Sequence, residues 1–161
     1  MGGIKFRPFF LMMNYPTRNE VIGACIEHQQ KVLSVAKYEM DSVQSQCNDY
    51  GANVDRYDAY RTKLMRQRDM YARQLANAMS TIAVLEQIIA NPKPSTITHG
   101  AIVITSKQRF LLSVGIGKFM VGEQVWYAIS AQTPVFMALK GRCVGDVVTF
   151  NGISQEILAI Y

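Results

Sequence analysis

The chain lacks a membrane-length apolar run, a cysteine framework and any zinc-binding pattern. The apolar patch Phe9–Met13 is far shorter than the roughly 18 residues of a membrane helix, and no small-x-small cleavage site follows it. Cys25, Cys47 and Cys143 are too scattered for a disulfide framework, and neither a CxxC pair nor a Cys/His cluster occurs. We therefore expect no membrane association and a reducing, cytoplasmic location.

Recognisable catalytic motifs are also missing. No Ser-His-Asp or Cys-His arrangement is visible, and "SVGIGKF" lacks the third glycine and the following helix of a phosphate loop. Lys and Arg number 17 and Asp and Glu number 12, so the net charge is +5. This modest excess suits an acidic partner without identifying one. We expect a binding protein that is not itself an enzyme and has no intrinsic cofactor.

No proline occurs between Thr17 and Asn91, and this long stretch is helical in pattern. Seam positions recur at alternating steps of three and four on both sides of one break near Gly51, and all are apolar except Gln29 in the first seam and Arg61 and Arg68 in the second. The first seam contains Ile22, Ile26, Leu33, Ala36, Met40, Val43, Cys47 and Tyr50, and the second contains Val54, Tyr57, Leu64, Tyr71, Leu75, Ala78, Ile82, Leu85 and Ile89. Two seams of similar length predict an antiparallel coiled-coil hairpin over residues 20–90, with its tip near 48–55.

The break is acidic, with Asp49, Asp55 and Asp58 around a single glycine. Gly51 can end a helix cheaply because it tolerates positive φ. Acidic residues at the start of the next helix favour its dipole and can cap it. A second interpretation is that the hairpin carries these carboxylates to a distant site, where they can bind Mg²⁺.

The boundaries follow from composition. Residues 1–19 contain Pro8 and Pro16 and no periodicity, and we expect a flexible leader whose first 13 residues are dispensable. Residues 91–100, "NPKPSTITHG", form a linker. Residues 101–161 predict a small antiparallel sheet. Its strand-like segments are Ala101–Thr105, Arg109–Val114, Gln124–Ser130, Asp146–Phe150 and Ser154–Ile160.

A short helix is predicted between the third and fourth strand-like segments. Thr133 caps it, Pro134 occupies its first position and Gly141 ends it. Asn151-Gly152 suits a two-residue type I′ turn. Trp126 and Tyr127 alternate along a strand, so we expect at least one of them to be exposed. The chain is therefore predicted to be α+β.

The C-terminal domain resembles that of the Gre transcript-cleavage factors of bacterial RNA polymerase. The matching elements are Ile129-Ser130, Thr133-Pro134, Gly141-Arg142 and Gly145-Asp146, and "VDRYDAYR" resembles the Gre tip segment. The resemblance implies an FKBP-like C-terminal domain that docks on the rim of the polymerase secondary channel. It places docking at Ser130, Thr133, Pro134 and Gly141.

The same resemblance implies that the hairpin enters the channel, where tip carboxylates share a catalytic Mg²⁺ and the nascent RNA is contacted indirectly. In Gre factors the acidic pair is separated by two residues before Asn-Ala-Glu-Tyr. An ungapped alignment on Tyr57 puts Tyr50 and Asn53 at those positions, whereas Asp49, Asp55 and Asp58 require a shift. Four functions stay open: a regulator that stimulates cleavage, a channel-binding regulator that does not, an FKBP-like prolyl isomerase and a structural coiled-coil protein. The sequence leaves the oligomeric state open.

Overall fold

The computed structural model describes residues 14–49 and 58–161, and the remaining residues lie outside the description. Two long helices, α1 (Arg18–Asp49) and α2 (Asp58–Ala90), pack along each other. Arg18 at the start of α1 donates hydrogen bonds to Ile88 and Asn91 at the end of α2. Near the other end, Arg68 of α2 donates to Gln44 of α1 at 3.3 Å. The helices are therefore antiparallel, as the two seams predicted.

A capping box starts α1 two residues earlier than predicted. The Glu20 carboxylate accepts a hydrogen bond from the Thr17 N–H at 2.6 Å, and the Thr17 hydroxyl oxygen accepts one from the Glu20 N–H at 3.3 Å. These bonds satisfy amide donors that a helix start otherwise leaves unpaired. They also hold the pKa of the Glu20 carboxyl below its usual value. Residues 14–17, assigned to the leader from sequence, thus include the N-cap of α1.

Burial within the hairpin follows the predicted seams. Ala36, Val43 and Cys47 of α1 are buried, as are Leu64 and Ala78 of α2. Val43, Cys47 and Leu64 form a cluster with Tyr71 packed against it. Seam positions Tyr50, Val54 and Tyr57, and the break at Gly51, lie outside the described residues.

The C-terminal half forms one six-stranded sheet. Its strands are β1 (Ile102–Thr105), β2 (Arg109–Ser113), β3 (Gly117–Val121), β4 (Gln124–Ser130), β5 (Val147–Phe150) and β6 (Ile153–Ile160). Their order in the sheet is β3-β4-β2-β1-β6-β5. The prediction of a purely antiparallel sheet was wrong, because β2 and β4 pair in parallel from Phe110↔Tyr127 to Ser113↔Ser130.

The prediction was wrong because it did not include β3. This strand leaves β2 through a short loop, takes the outer position and returns as an antiparallel hairpin with β4 through Gly122-Glu123. That path brings β4 back beside β2 in the same direction. Gly117 and the exposed side chains of Lys118 and Met120 obscure the strand pattern in the sequence, because Phe119 is the one fully buried side chain of β3.

Helix α3 (Pro134–Leu139) and the last turn match the prediction. Thr133 is the N-cap and accepts a hydrogen bond from the Phe136 N–H, and Pro134 occupies the first position. Asn151 and Gly152 both have positive φ and join paired residues Phe150 and Ile153, as a type I′ turn requires.

Both faces of the sheet are covered. The hairpin base packs on one face, in a cluster that contains Val21, Ile22, Cys25, Leu85, Ile88, Ile102, Ile104, Leu111, Phe119, Trp126 and Ala128. On the other face, Phe136 and Leu139 of α3 pack with Val103, Phe110 and Leu112. The expectation that Trp126 or Tyr127 is exposed was wrong, since Trp126 is fully buried and Tyr127 is half-buried.

The three cysteines are free thiols, with Cys25 and Cys47 buried and Cys143 exposed. Burial raises the pKa of the Cys25 thiol to about 12. Within residues 14–49 and 58–161, no helix is both long and apolar enough to cross a membrane.

Candidate functional site

The distal part of the hairpin projects away from the sheet. The cluster shared with the sheet uses Val21, Ile22 and Cys25 near the start of α1, whereas Val43 and Cys47 pack only within the hairpin. About 18 residues of α1 follow Lys31, which lines a groove together with the sheet. At 1.5 Å per residue, this part of the helix extends for about 27 Å.

Two of the three predicted tip carboxylates are described, and both are exposed. Asp49 ends α1 and Asp58 begins α2, so the antiparallel packing places them at the same end of the arm. Asp55 lies outside the described residues. Within the described part of the chain, no three His, Cys, Asp or Glu side chains form a group that could hold a metal.

The two described carboxylates differ in how the helix dipole affects them. Asp58 lies in the first turn of α2, where a negative charge interacts favourably with the helix dipole. Asp49 is the last described residue of α1, and its side chain is exposed. The dipole of α2 therefore accounts for Asp58 alone.

A basic stripe on α2 was not recognised from the sequence. Lys63, Arg66, Met70 and Arg73 follow steps of three and four along one exposed side of the helix, and we call them the basic stripe. Shallow grooves run along this stripe. The signal was present in the sequence as a second periodic set beside the seam. Its positive charges suit phosphate groups or carboxylates of a partner.

The predicted docking residues meet where β4 ends. The Ser130 carbonyl accepts hydrogen bonds from the Thr133 N–H at 3.1 Å and from the Thr133 hydroxyl at 2.8 Å. Ser130 and Thr133 are half-buried, and Pro134 is exposed. Thr133 thus fixes the turn and caps α3, so part of its role is structural.

The exposed side of α3 adds residues that the sequence analysis did not single out. Pro134, Met137 and Lys140 follow one another at steps of three, and Gly141 and Arg142 come after the helix end. We call these five residues the α3 surface. Met137 is 69% exposed, although it is a large apolar side chain. Gly141 has φ of 76°, which lets the chain turn away at the end of α3.

The aromatic side chains beneath α3 are packed into the core. The centroid of the Phe110 ring lies 6.2 Å from that of Phe150, in an edge-to-face arrangement. It lies 6.3 Å from that of Tyr127, with the two rings tilted. Phe110 and Phe136 are buried. These aromatic side chains therefore belong to the core on the α3 side of the sheet.

The hairpin and the sheet are joined by polar contacts as well as by their shared core. The Arg18 guanidinium donates to the carbonyls of Ile88 at 2.7 Å, Asn91 at 3.1 Å and Gly100 at 3.1 Å. The Tyr161 hydroxyl donates to the Pro16 carbonyl at 2.8 Å. These contacts fix the direction of the arm relative to the sheet that carries α3.

Comparison of the chain with protein-family models, with curated proteins and with solved structures gave no match. Function is therefore inferred from the motifs and the geometry of this chain.

Proposed function

We propose that this chain is a Gre-like regulator of bacterial RNA polymerase that acts in the cytoplasm. Its sheet is FKBP-like and docks on the rim of the secondary channel, while the hairpin enters the channel. The observation that carries this proposal is a projecting hairpin arm on a sheet domain that exposes the α3 surface, the region of the Gre-like motif.

Docking uses the α3 surface. Exposed Met137 offers apolar contact area, while Lys140 and Arg142 supply positive charge around it. An apolar centre with a charged rim is the usual composition of a specific protein interface. Ser130 and Thr133 hold Pro134 and the start of α3 in place through the hydrogen bonds at the end of β4.

The arm acts inside the channel through its acidic tip and its basic stripe. Asp49, Asp55 and Asp58 lie beside the catalytic Mg²⁺ that the polymerase holds, and no metal is intrinsic to this chain. The basic stripe suits indirect contact with the phosphates of the nascent RNA. Binding comes first in this proposal, and stimulation of the polymerase's own RNA cleavage is its second step, because the acidic spacing departs from the Gre pattern.

Two observations support a polymerase regulator over the other candidate functions. The buried aromatic cluster under α3 argues against a prolyl isomerase. A purely structural coiled coil does not account for the exposed α3 surface, the region of the Gre-like motif.

Binding to purified core RNA polymerase tests the proposal. We expect the full chain to bind, and Met137→Asp to weaken binding at least about tenfold, a loss of about 1.4 kcal/mol. Met120→Asp is the matched control, because Met120 is also exposed and lies on β3, the edge strand opposite β5, with which α3 packs. Equal binding by both variants would remove the α3 surface from the proposal, and no binding by the full chain would refute the proposal itself.

A further inference from the structure

The outer edge of β3 forms one wall of a groove that the polymerase proposal does not use. The other wall is α1, through Ala24, Glu27, His28 and Lys31. The cavity volume is about 340 Å³, enough for a short segment of chain but not for a folded domain. We call this the edge groove.

The strand wall consists of the consecutive residues Lys118, Phe119 and Met120. Successive side chains of a strand point to opposite faces, and Phe119 is buried on the hairpin side while its two neighbours are exposed. Consecutive residues therefore share the groove along the strand's outer edge, where the backbone groups that do not face β4 are located.

Those backbone groups are unpaired within the part of the chain that the structure describes. There, β3 is the outermost strand of the sheet and pairs only with β4. Among residues 14–49 and 58–161, no backbone hydrogen bond outside this ladder involves Gly117–Val121. Free edge groups of this kind are a template for an added strand.

The charges that line the edge groove favour an added strand with acidic side chains. Lys31 lies on the helix wall and Lys118 on the strand wall, whereas Glu27 is the one carboxylate that lines it. Both lysines are exposed, and among the described residues neither has an ion-pair partner. The first 13 residues of this chain carry Lys5 and Arg7 and no carboxylate, so they lack the complementary charge.

We propose that the edge groove binds an extended acidic peptide segment of a partner protein, which adds to β3 as a further strand. Its backbone pairs with the free edge of β3. Side chains on one face of the added strand lie beside Lys118 and Met120, and those on the other face point toward Ala24 and Lys31. This site is independent of polymerase docking.

A labelled peptide tests the proposal by fluorescence anisotropy with the full chain. The probe has two adjacent glutamates flanked by valines, because adjacent side chains in a strand reach opposite faces and can meet Lys31 and Lys118 together. We expect saturable binding that the double variant Lys31→Glu, Lys118→Glu weakens at least about tenfold. We expect the amides of the β3 edge to exchange more slowly in the complex.

Two controls separate strand addition from general attraction to a basic protein. Lys63→Glu with Arg66→Glu makes the same charge change on the basic stripe and should alter affinity by no more than about twofold. The same peptide N-methylated at every second backbone amide keeps its charges but loses the N–H donors that strand pairing needs. It should bind far more weakly.

Equal loss of affinity in both double variants, or full binding by the methylated peptide, would overturn the proposal. A dimer in sedimentation experiments that blocks probe binding would also overturn it, because the β3 edge would then be occupied by a second copy of the chain.

Discussion

At the residue scale, Arg18 shows how one side chain fixes the arm to the sheet. Its guanidinium has no carboxylate partner among the described residues and instead donates to three backbone carbonyls. Two of these carbonyls, at Ile88 and Asn91, lie at the end of α2. The last carbonyls of a helix have no amide donor within the helix. Burial lowers the pKa of Arg18, yet the group remains cationic because its ordinary value is so high.

Arg18→Ala should lower the free energy of unfolding by about 2–3 kcal/mol, because hydrogen bonds from a charged donor contribute more than neutral ones and the acceptors lose their partner. Arg18→Lys should recover only part of this, since an ammonium group cannot reproduce the planar fork. Urea denaturation measures both. Arg73→Ala, on the exposed side of α2, is the control and should stay within about 0.5 kcal/mol of the parent.

Tyr161 limits the stability of the fold at alkaline pH. Burial raises the pKa of its hydroxyl to about 12 from an ordinary 10.0. A raised pKa means that the folded state holds the proton more tightly, so the associated stability is present below pH 10 and is lost between about pH 10 and 12. The Cys25 thiol acts in the same direction from its ordinary pKa of 9.0 upward.

Tyr161→Phe should therefore make stability less dependent on pH above 10, although it loses the hydrogen bond to Pro16 and about 1 kcal/mol at neutral pH. Thermal unfolding measured from pH 7 to 11.5 in the parent and the variant tests this. Parallel curves for the two proteins would show that Tyr161 does not set the limit.

At the element scale, elements with local causes were predictable from the sequence. The heptad spacing predicted α1 and α2, Thr133-Pro134 predicted α3, and Asn151-Gly152 predicted the last turn, because each depends on residues near one another in the chain. The parallel pairing of β2 with β4 depends on a strand order that no local pattern encodes. Strand β3 has only one fully buried side chain and therefore gives no alternating signal.

The positions of the predicted docking residues were predictable to the same extent. The positions of Thr133, Pro134 and Gly141 around α3 followed from capping rules, and the strand prediction placed Ser130 at the end of β4, whereas its selection for docking came from the resemblance to Gre factors. Exposure of Met137 was not predictable, because an apolar residue in a short helix is as compatible with the core as with the surface. The Thr17–Glu20 capping box was a readable signal that sequence analysis missed.

The tip carboxylates are testable as a set. Changing Asp49, Asp55 and Asp58 to Asn keeps most capping ability and removes the charge. Because Asp49 and Asp58 are exposed, we expect the unfolding free energy to change by at most about 1 kcal/mol.

Under the proposed function, this triple variant still binds polymerase, and its effect on backtracked complexes disappears or changes sign. Transcript-cleavage and pausing assays measure this effect. Behaviour like the parent in both assays would mean that the carboxylates have no role beside the polymerase metal and that the hairpin acts sterically.

At the scale of the whole molecule, hairpin and sheet share one core. Trp126, Phe119 and Leu111 of the sheet are covered by residues near the start of α1 and the end of α2. Residues 91–161 expressed alone would expose this face, so we expect a loosely packed protein with poor chemical-shift dispersion and strong binding of a hydrophobic dye. Well-dispersed amide spectra from this fragment would show that the sheet folds independently.

The shared core means that the reach of the arm must be tested by shortening it, not by removing it. Deleting residues 37–43 and 68–74 takes one heptad from each helix at facing levels of the hairpin and keeps both seams in phase. The arm becomes about 10 Å shorter, while the shared core, the α3 surface and the tip sequence stay intact. The deleted segments carry opposite net charges of equal size, one negative for 37–43 and one positive for 68–74, so the net charge of the chain is unchanged.

We expect this shortened chain to unfold cooperatively and to bind core polymerase nearly as well as the parent, because docking depends on the α3 surface. Its effect on backtracked complexes should be lost, since the carboxylates no longer reach the metal site. Restoring the length with heptads of different sequence that keep the seam and return Met70 and Arg73 of the basic stripe should restore activity. If the shortened chain acts like the parent, the arm does not work by placing its tip at a fixed depth. Loss of polymerase binding on shortening would instead place the main docking contacts on the arm.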